Sequence, residues 1–154
     1  MSRAVARLVA YAEGRSIALA PHTTHEILES PRPTWVPGAA AHALGLLPWR
    51  GRRIPLIDVA ALVQGGMTDR ADACRYALVV AWQEAGEAAL SYGALALHAL
   101  PQMTEVSDVQ LCPLPGDSGL WPRLALSCFS HEGQAVPVVD TARLFSATSA
   151  GTAR

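Results

Sequence analysis

Three side chains, His42, Asp58 and Ser118, follow one another in an order that could supply a base, an orienting carboxylate and a nucleophile for acyl transfer. The strings Ala40-Ala-His42 and Gly116-Asp-Ser-Gly119 strengthen the suggestion, because serine hydrolases of that chain order carry similar ones. Three features argue against it. A chain of 154 residues is too short for the pair of large barrels such a site needs. Leu120 stands where a second glycine is required. Asp58 follows an apolar strand-like stretch and precedes a helical one, where a carboxylate caps the helix. Gly, Asp and Ser around position 118 are ordinary loop residues, and no catalytic residue is assigned.

Other polar groupings are weaker. His22, His25 and Glu26 share a short segment, but no second ligand cluster has metal-binding spacing, so no metal or cofactor is expected. Trp49-Arg-Gly-Arg-Arg53 could stack on and pair with RNA, yet the chain carries a net charge of −1 and no other basic patch. A basic turn in that setting is expected to face solvent or protein, and nucleic acid is not expected as a partner. There is no glycine-rich phosphate loop. All twelve basic residues are Arg, so every cation is a planar fork suited to carboxylates and carbonyls. Cys74, Cys112 and Cys128 are odd in number and lack metal spacing, and are read as small apolar residues in a reducing compartment. No apolar run is long enough for a bilayer, and Arg3 and Arg7 interrupt the first apolar stretch. A cytoplasmic protein without direct membrane insertion is expected.

The elements that must hold these residues are short. Strands are expected at Val5–Tyr11, Ser16–Ala20, Gly45–Arg50, Arg53–Ile57, Arg75–Trp82, Ala88–Leu97, Met103–Leu111, Pro122–Phe129 and Gln134–Val139. His22–Glu29 reads as a short helix or turn, Ala39–Leu44 as one helical turn, and Asp58–Gln64 and Asp140–Phe145 as short helices. Pro31, Pro33 and Pro37 enforce an extended crossing. Gly65–Asp72 is the best linker, and Ser146–Arg154 is expected to fray. Many short strands broken by Gly and Pro predict small β-barrels.

A repeat organises the chain. Gly51-Arg-Arg-Ile-Pro55-Leu-Ile-Asp58-Val-Ala60-Ala-Leu62 aligns without gaps on Gly133-Gln-Ala-Val-Pro137-Val-Val-Asp140-Thr-Ala142-Arg-Leu144, 82 residues later. The shared Gly suits a hairpin turn, the Pro an edge or bend, and the Asp a helix cap. The predicted division is a first lobe at 1–66, a second at 67–148 and a tail at 149–154. Around the turn the repeats differ: Trp49, Arg50, Arg52 and Arg53 in the first, Ser130, His131, Glu132 and Gln134 in the second. Barrel packing does not dictate those tips, so function is expected there.

Glu26-Ile-Leu, Pro37, Leu44-Gly45-Leu-Leu-Pro-Trp-Arg50-Gly51-Arg-Arg-Ile-Pro55-Leu-Ile-Asp58 and the terminal Val136-Pro-Val-Val-Asp140 resemble the CheW-like coupling domain from about Val5 to Phe145. Two positions depart from that family's pattern: Pro48-Trp49 replaces Asn-Leu, and Leu97-His98 replaces Val-Asp. The Trp-Arg-Gly-Arg-Arg-Ile-Pro string and Ala99-Leu-Pro-Gln-Met103 look similar to accessory CheW-like proteins of type IV pilus (twitching) systems. The resemblance implies two packed five-stranded SH3-like barrels. It also implies a non-enzymatic adaptor joining methyl-accepting chemoreceptor tips to the regulatory domain of a CheA-like histidine kinase, located at membrane receptor arrays. The alternative is a CheW-like module that binds a pilus or signalling regulator without coupling the kinase. By position, Thr24, Glu26, Ile27 and Arg50 match the receptor-facing region, while Pro37, Gly45, Gly51, Pro55 and Asp58 shape the groove.

Overall fold

The computed structural model describes the backbone of residues 3–65 and 74–152, and side chains as far as Ser146. The chain is mostly β. Strands β1 (Arg3–Ala12), β2 (Arg15–Leu19), β3 (Thr24–Glu29), β4 (Ala43–Trp49) and β5 (Arg52–Ile57) lead into helix α1 (Val59–Gln64). Strands β6 (Tyr76–Trp82), β7 (Ser91–Leu97) and β8 (Gln102–Ser107), short helix α2 (Trp121–Leu124), strands β9 (Ala125–His131) and β10 (Gln134–Val139), and helix α3 (Thr141–Thr152) follow. They form two five-stranded sheets, ordered β8-β1-β2-β10-β9 and β3-β6-β7-β5-β4.

The sheets take strands from both sides of the boundary expected at 66/67. The repeats exist as sequence units, but they exchange strands. Each sheet takes the first hairpin of one repeat (β1-β2 or β6-β7) and the remaining three strands of the other. The reason is visible in burial. β6 and β7 are buried on both faces: Ala77, Val79, Ala94 and Ala96 join a core with Leu47, Trp49, Ile54 and Leu56, while Leu78, Val80, Leu95 and Leu97 face the other way. There they meet Val9, Tyr11, Ile17 and Leu19 of the first sheet, with Trp121, Leu144 and Phe145. A smaller core of Ala6, Leu8, Ala18, Phe129 and Val136 fills the first barrel. The core shared between sheets is the largest of the three, so neither lobe buries its apolar surface alone. The Leu97-His98 departure lies on this seam, with the His98 amide bonded to the Ala10 carbonyl at 3.1 Å.

The repeat is faithful at the level of single hydrogen bonds. Asp58 N–H donates to the His42 carbonyl at 2.8 Å and Asp140 N–H to the Leu124 carbonyl at 3.0 Å, each pair displaced by 82 residues. The Asp58 carboxylate accepts the Ala60 amide at 3.0 Å, as a helix cap. Pro55 and Pro137 each precede the residue (Leu56, Val138) at which parallel pairing to the central hairpin starts, where a missing donor is harmless. Each barrel is closed by an irregular segment. Thr34 bridges Leu46, and Leu111 bridges Phe129. Gly45, at φ 140°, makes the first closure possible, because a Cβ there would overlap the Thr34 carbonyl.

Local expectations differ at four places. Residues 21–29 form a single 3-10 turn, Pro21–Thr23, and then strand β3, because an apolar partner, β6, is available along Thr24–Glu29. Residues 39–44 contain isolated turns and the start of β4 in place of a helical turn. Pro122 lies in the first turn of α2, so the strand expected from 122 starts at Ala125. Helix α3 continues through Thr152 where a frayed tail was expected, no Gly or Pro interrupting it before Gly151. Gly65 ends α1 in a left-handed cap at φ 73°, and the rest of the Gly65–Asp72 linker lies outside the described residues.

Phe145 ties α3 to the second sheet: its ring stacks on Trp82 at 4.4 Å and lies where a Cβ on Gly93 would be. Phe145→Ala is expected to cost about 3–5 kcal/mol and Asp58→Ala about 0.5–2 kcal/mol. Urea denaturation should show both as shifts of one transition. Two separated transitions for the lobes would contradict the shared core.

Candidate functional site

The site grows from the β4-β5 hairpin. Trp49 pairs with Arg52, leaving Arg50-Gly51 as a two-residue turn with φ of 47° and 76°, the signature of a type I′ hairpin. The equivalent turn, Glu132-Gly133, has φ of 49° and 79°. Only the glycines were anticipated in the left-handed region. Arg50 and Glu132 enter it too, although Asn, Asp or Gly is the easier occupant.

Around Arg50 the side chains interlock. Glu26 on β3 accepts from Arg50 at 3.0 Å and from the Trp49 indole N–H at 2.7 Å, both through Oε1. The Arg50 guanidinium lies over the Trp49 ring, 4.8 Å from its centroid. Trp49 is buried and packs on Tyr92 at 4.8 Å. The Arg52 guanidinium lies over the Tyr92 ring, 5.0 Å from its centroid, and His25 packs edge-on against Tyr92 at 5.2 Å. One carboxylate and one indole thus fix a cation whose side chain remains 66% exposed. Such a fork is presented ready-made to an acceptor.

An apolar groove of about 540 Å³ opens beside this cluster, sharing Tyr92 with it, and its lining includes Pro37, Gly45, Pro55, Trp82 and Phe145. Of the residues picked out in the sequence, the structure brings Glu26 together with Arg50, and Pro37 together with Gly45 and Pro55. Thr24 spends its hydroxyl on the Pro21 carbonyl at 2.7 Å. Ile27 is exposed on the alternate register of β3. Gly51 sets the turn, and Asp58 caps α1 away from the groove lining. Tyr92 and Phe145 had no sequence signal, since both belong to the second repeat and reach the site through strand exchange. Trp49, marked in the sequence as a tip residue and as a departure from the family pattern, is the residue that seats Glu26.

The hydrolase constellation is not assembled among the described residues. Ser118 Oγ accepts the Leu120 amide at 3.2 Å, as in a loop turn. Buried His42 has its pKa pushed down by desolvation, only partly offset by the Asp58 charge. His25, considered above as a metal ligand, is committed to its aromatic neighbours.

Comparison with known proteins gives a family and a fold. The family described as CheW-like domain matches residues 8–149. The solved structure of the scaffolding protein TtCheW from Thermoanaerobacter tengcongensis superposes with a TM-score of 0.65 at 14% identity, covering 90% of each chain. No curated protein matches. Among the described residues no helix is long and apolar enough to cross a membrane.

Trp49→Phe keeps an aromatic side chain but removes the indole N–H donor to Glu26 and part of the buried bicycle. It should cost about 1.5–3 kcal/mol, whereas Arg50→Ala, which breaks an exposed ion pair, should cost about 0–1 kcal/mol. Chemical denaturation of the two variants tests this ranking; a larger loss for Arg50→Ala would mean the cation supports the fold.

Proposed function

The chain belongs to the CheW-like domain family, and we propose that it is a non-enzymatic adaptor that holds methyl-accepting chemoreceptor tips to the regulatory domain of a CheA-like histidine kinase, at the cytoplasmic face of a receptor array. The pathway served is a bacterial chemosensory one, chemotactic or twitching. The observation that carries this reading is the Arg50 fork, held by Glu26 and Trp49 on a hairpin tip beside an apolar groove. The family resemblance implies receptor tips that are helical hairpins; the groove suits an apolar helix face, and the oriented guanidinium suits a carboxylate or a terminal carbonyl beside it.

The pseudo-symmetric partner of this tip supports a division of labour. Glu132 has a matching φ but, among the described residues, no comparable cradle; its ion pair is with His131, at 3.8 Å. Opposite charges at equivalent turns allow the two lobes to face different partners. That arrangement suits a protein inserted between a receptor and a kinase domain of the same fold.

Binding of each partner fragment to separate variants tests the assignment. Arg50→Ala should weaken receptor-tip binding at least about tenfold, as loss of a central Arg contact does, with thermal stability and kinase binding retained. Arg52→Ala and Arg53→Ala should do less. Equal losses for all three would indicate general electrostatic attraction. Retained receptor binding with loss of the kinase would place the kinase, and not the receptor, on this surface. No binding to the kinase fragment by the unaltered chain would favour a module serving another signalling regulator.

A further inference from the structure

The two cysteines at positions 112 and 128 were expected to be unrelated apolar residues, but the fold brings them together. Their sulfurs lie 3.6 Å apart, and the Cys112 amide donates to the Cys128 carbonyl at 3.0 Å. Leu111 bridges Phe129 in antiparallel sense, so Cys112 and Cys128 are the next directly opposed pair. Opposed residues of an antiparallel pair have Cα atoms about 4.5–5.5 Å apart, within the range a disulfide spans. Small side-chain rotations then close the remaining gap.

We propose that Cys112 and Cys128 form a dithiol site that a hydroperoxide converts to an intramolecular disulfide, covalently closing the seam of the first barrel. Its position gives the reaction a consequence. In the second sheet the equivalent seam is held by reciprocal amide–carbonyl bonds between Thr34 and Leu46, at 2.8 and 2.9 Å. Cys128 occupies the place of Leu46 in the repeat, 82 residues on. The first seam has the single amide bond from Cys112, together with a Gln110 side-chain bond to the Ser130 carbonyl at 3.2 Å. Val109 and Leu111, exposed by 77% and 60%, ride on the segment that this seam secures.

The two sulfurs are unequal. Cys112 is partly exposed and Cys128 is buried, so the oxidant meets Cys112 first. Burial, reinforced by the neighbouring Cys112 sulfur, pushes the Cys128 thiol up to about 12, which keeps it protonated and in reserve. The Cys112 sulfur, as thiolate, attacks one peroxide oxygen; the O–O bond breaks, leaving a sulfenic acid on Cys112 and a hydroxide that takes up the proton Cys112 had released. The Cys128 sulfur then attacks the Cys112 sulfur, the S–O bond breaks, and water departs with the Cys128 proton. Two thiols are oxidised by two electrons, and one hydrogen peroxide is reduced to two waters.

The test is hydrogen peroxide titration of the full chain, followed by alkylation and non-reducing peptide mapping. Free thiols should fall from three to one while the chain stays monomeric, with 112 linked to 128. Cys74→Ser should form the same link at the same rate. Cys128→Ser should stop at a sulfenic acid on Cys112 that dimedone captures. Backbone amides of residues 108–112 should exchange at least about tenfold more slowly in the oxidised chain. A link through Cys74, links only between chains, or over-oxidation of Cys112 without the 112–128 link would overturn the proposal. So would unchanged exchange at 108–112 in a correctly linked chain, because the seam would then need no closure.

Discussion

Everything in this molecule depends on one shared apolar layer. Val9, Tyr11, Ile17 and Leu19 from one sheet and Leu78, Val80, Leu95 and Leu97 from the other form a single core, completed by Trp121, Leu144 and Phe145. Each five-stranded sheet by itself would leave its face of this layer exposed to water. Strand exchange solves this by making the central hairpin of each sheet apolar on both faces. The alternation along β6 and β7 reflects it: alanine and valine face the barrel, and leucine dominates the seam. Small residues let the barrel be tight, and the larger ones fill the wider space between sheets.

The same exchange builds the candidate binding surface. Glu26, Trp49 and Arg50 come from the first repeat, whereas Tyr92, Trp82 and Phe145 come from the second. The groove is therefore continuous with the layer that holds the lobes together. Phe145 illustrates the coupling, because it packs in the shared core, stacks on Trp82 and lines the groove. The groove floor and the shared layer are thus one continuous packed unit.

The two hairpin tips show how one backbone serves two purposes. Arg50-Gly51 and Glu132-Gly133 have nearly the same φ angles and follow strands in the same register. Their surroundings differ in charge and in aromatic neighbours. The scaffold positions of the repeat are constrained by φ, by a missing proline donor or by helix capping. Arg50 and Glu132 share the left-handed φ of their turns, but their side chains lie outside the barrel cores, so packing leaves them free to diverge.

How much of this was legible follows from the range of each constraint. The hairpins, the Asp58 cap and the gapless repeat were readable because local geometry decides them: a glycine at positive φ, a carboxylate ahead of a helix, a proline where pairing starts. Glu26 and Arg50 were assigned to one surface through family resemblance, not from spacing. The strand at Thr24–Glu29 was missed because its reason to be extended is β6, some fifty residues away. The Cys112–Cys128 contact and the roles of Tyr92 and Phe145 were invisible for the same reason. The sequence by itself determined two similar units of short strands with unlike tips. Tertiary structure alone decided that these units trade strands, because that choice rests on burying both faces of β6 and β7, a gain that exists only when both sheets are present.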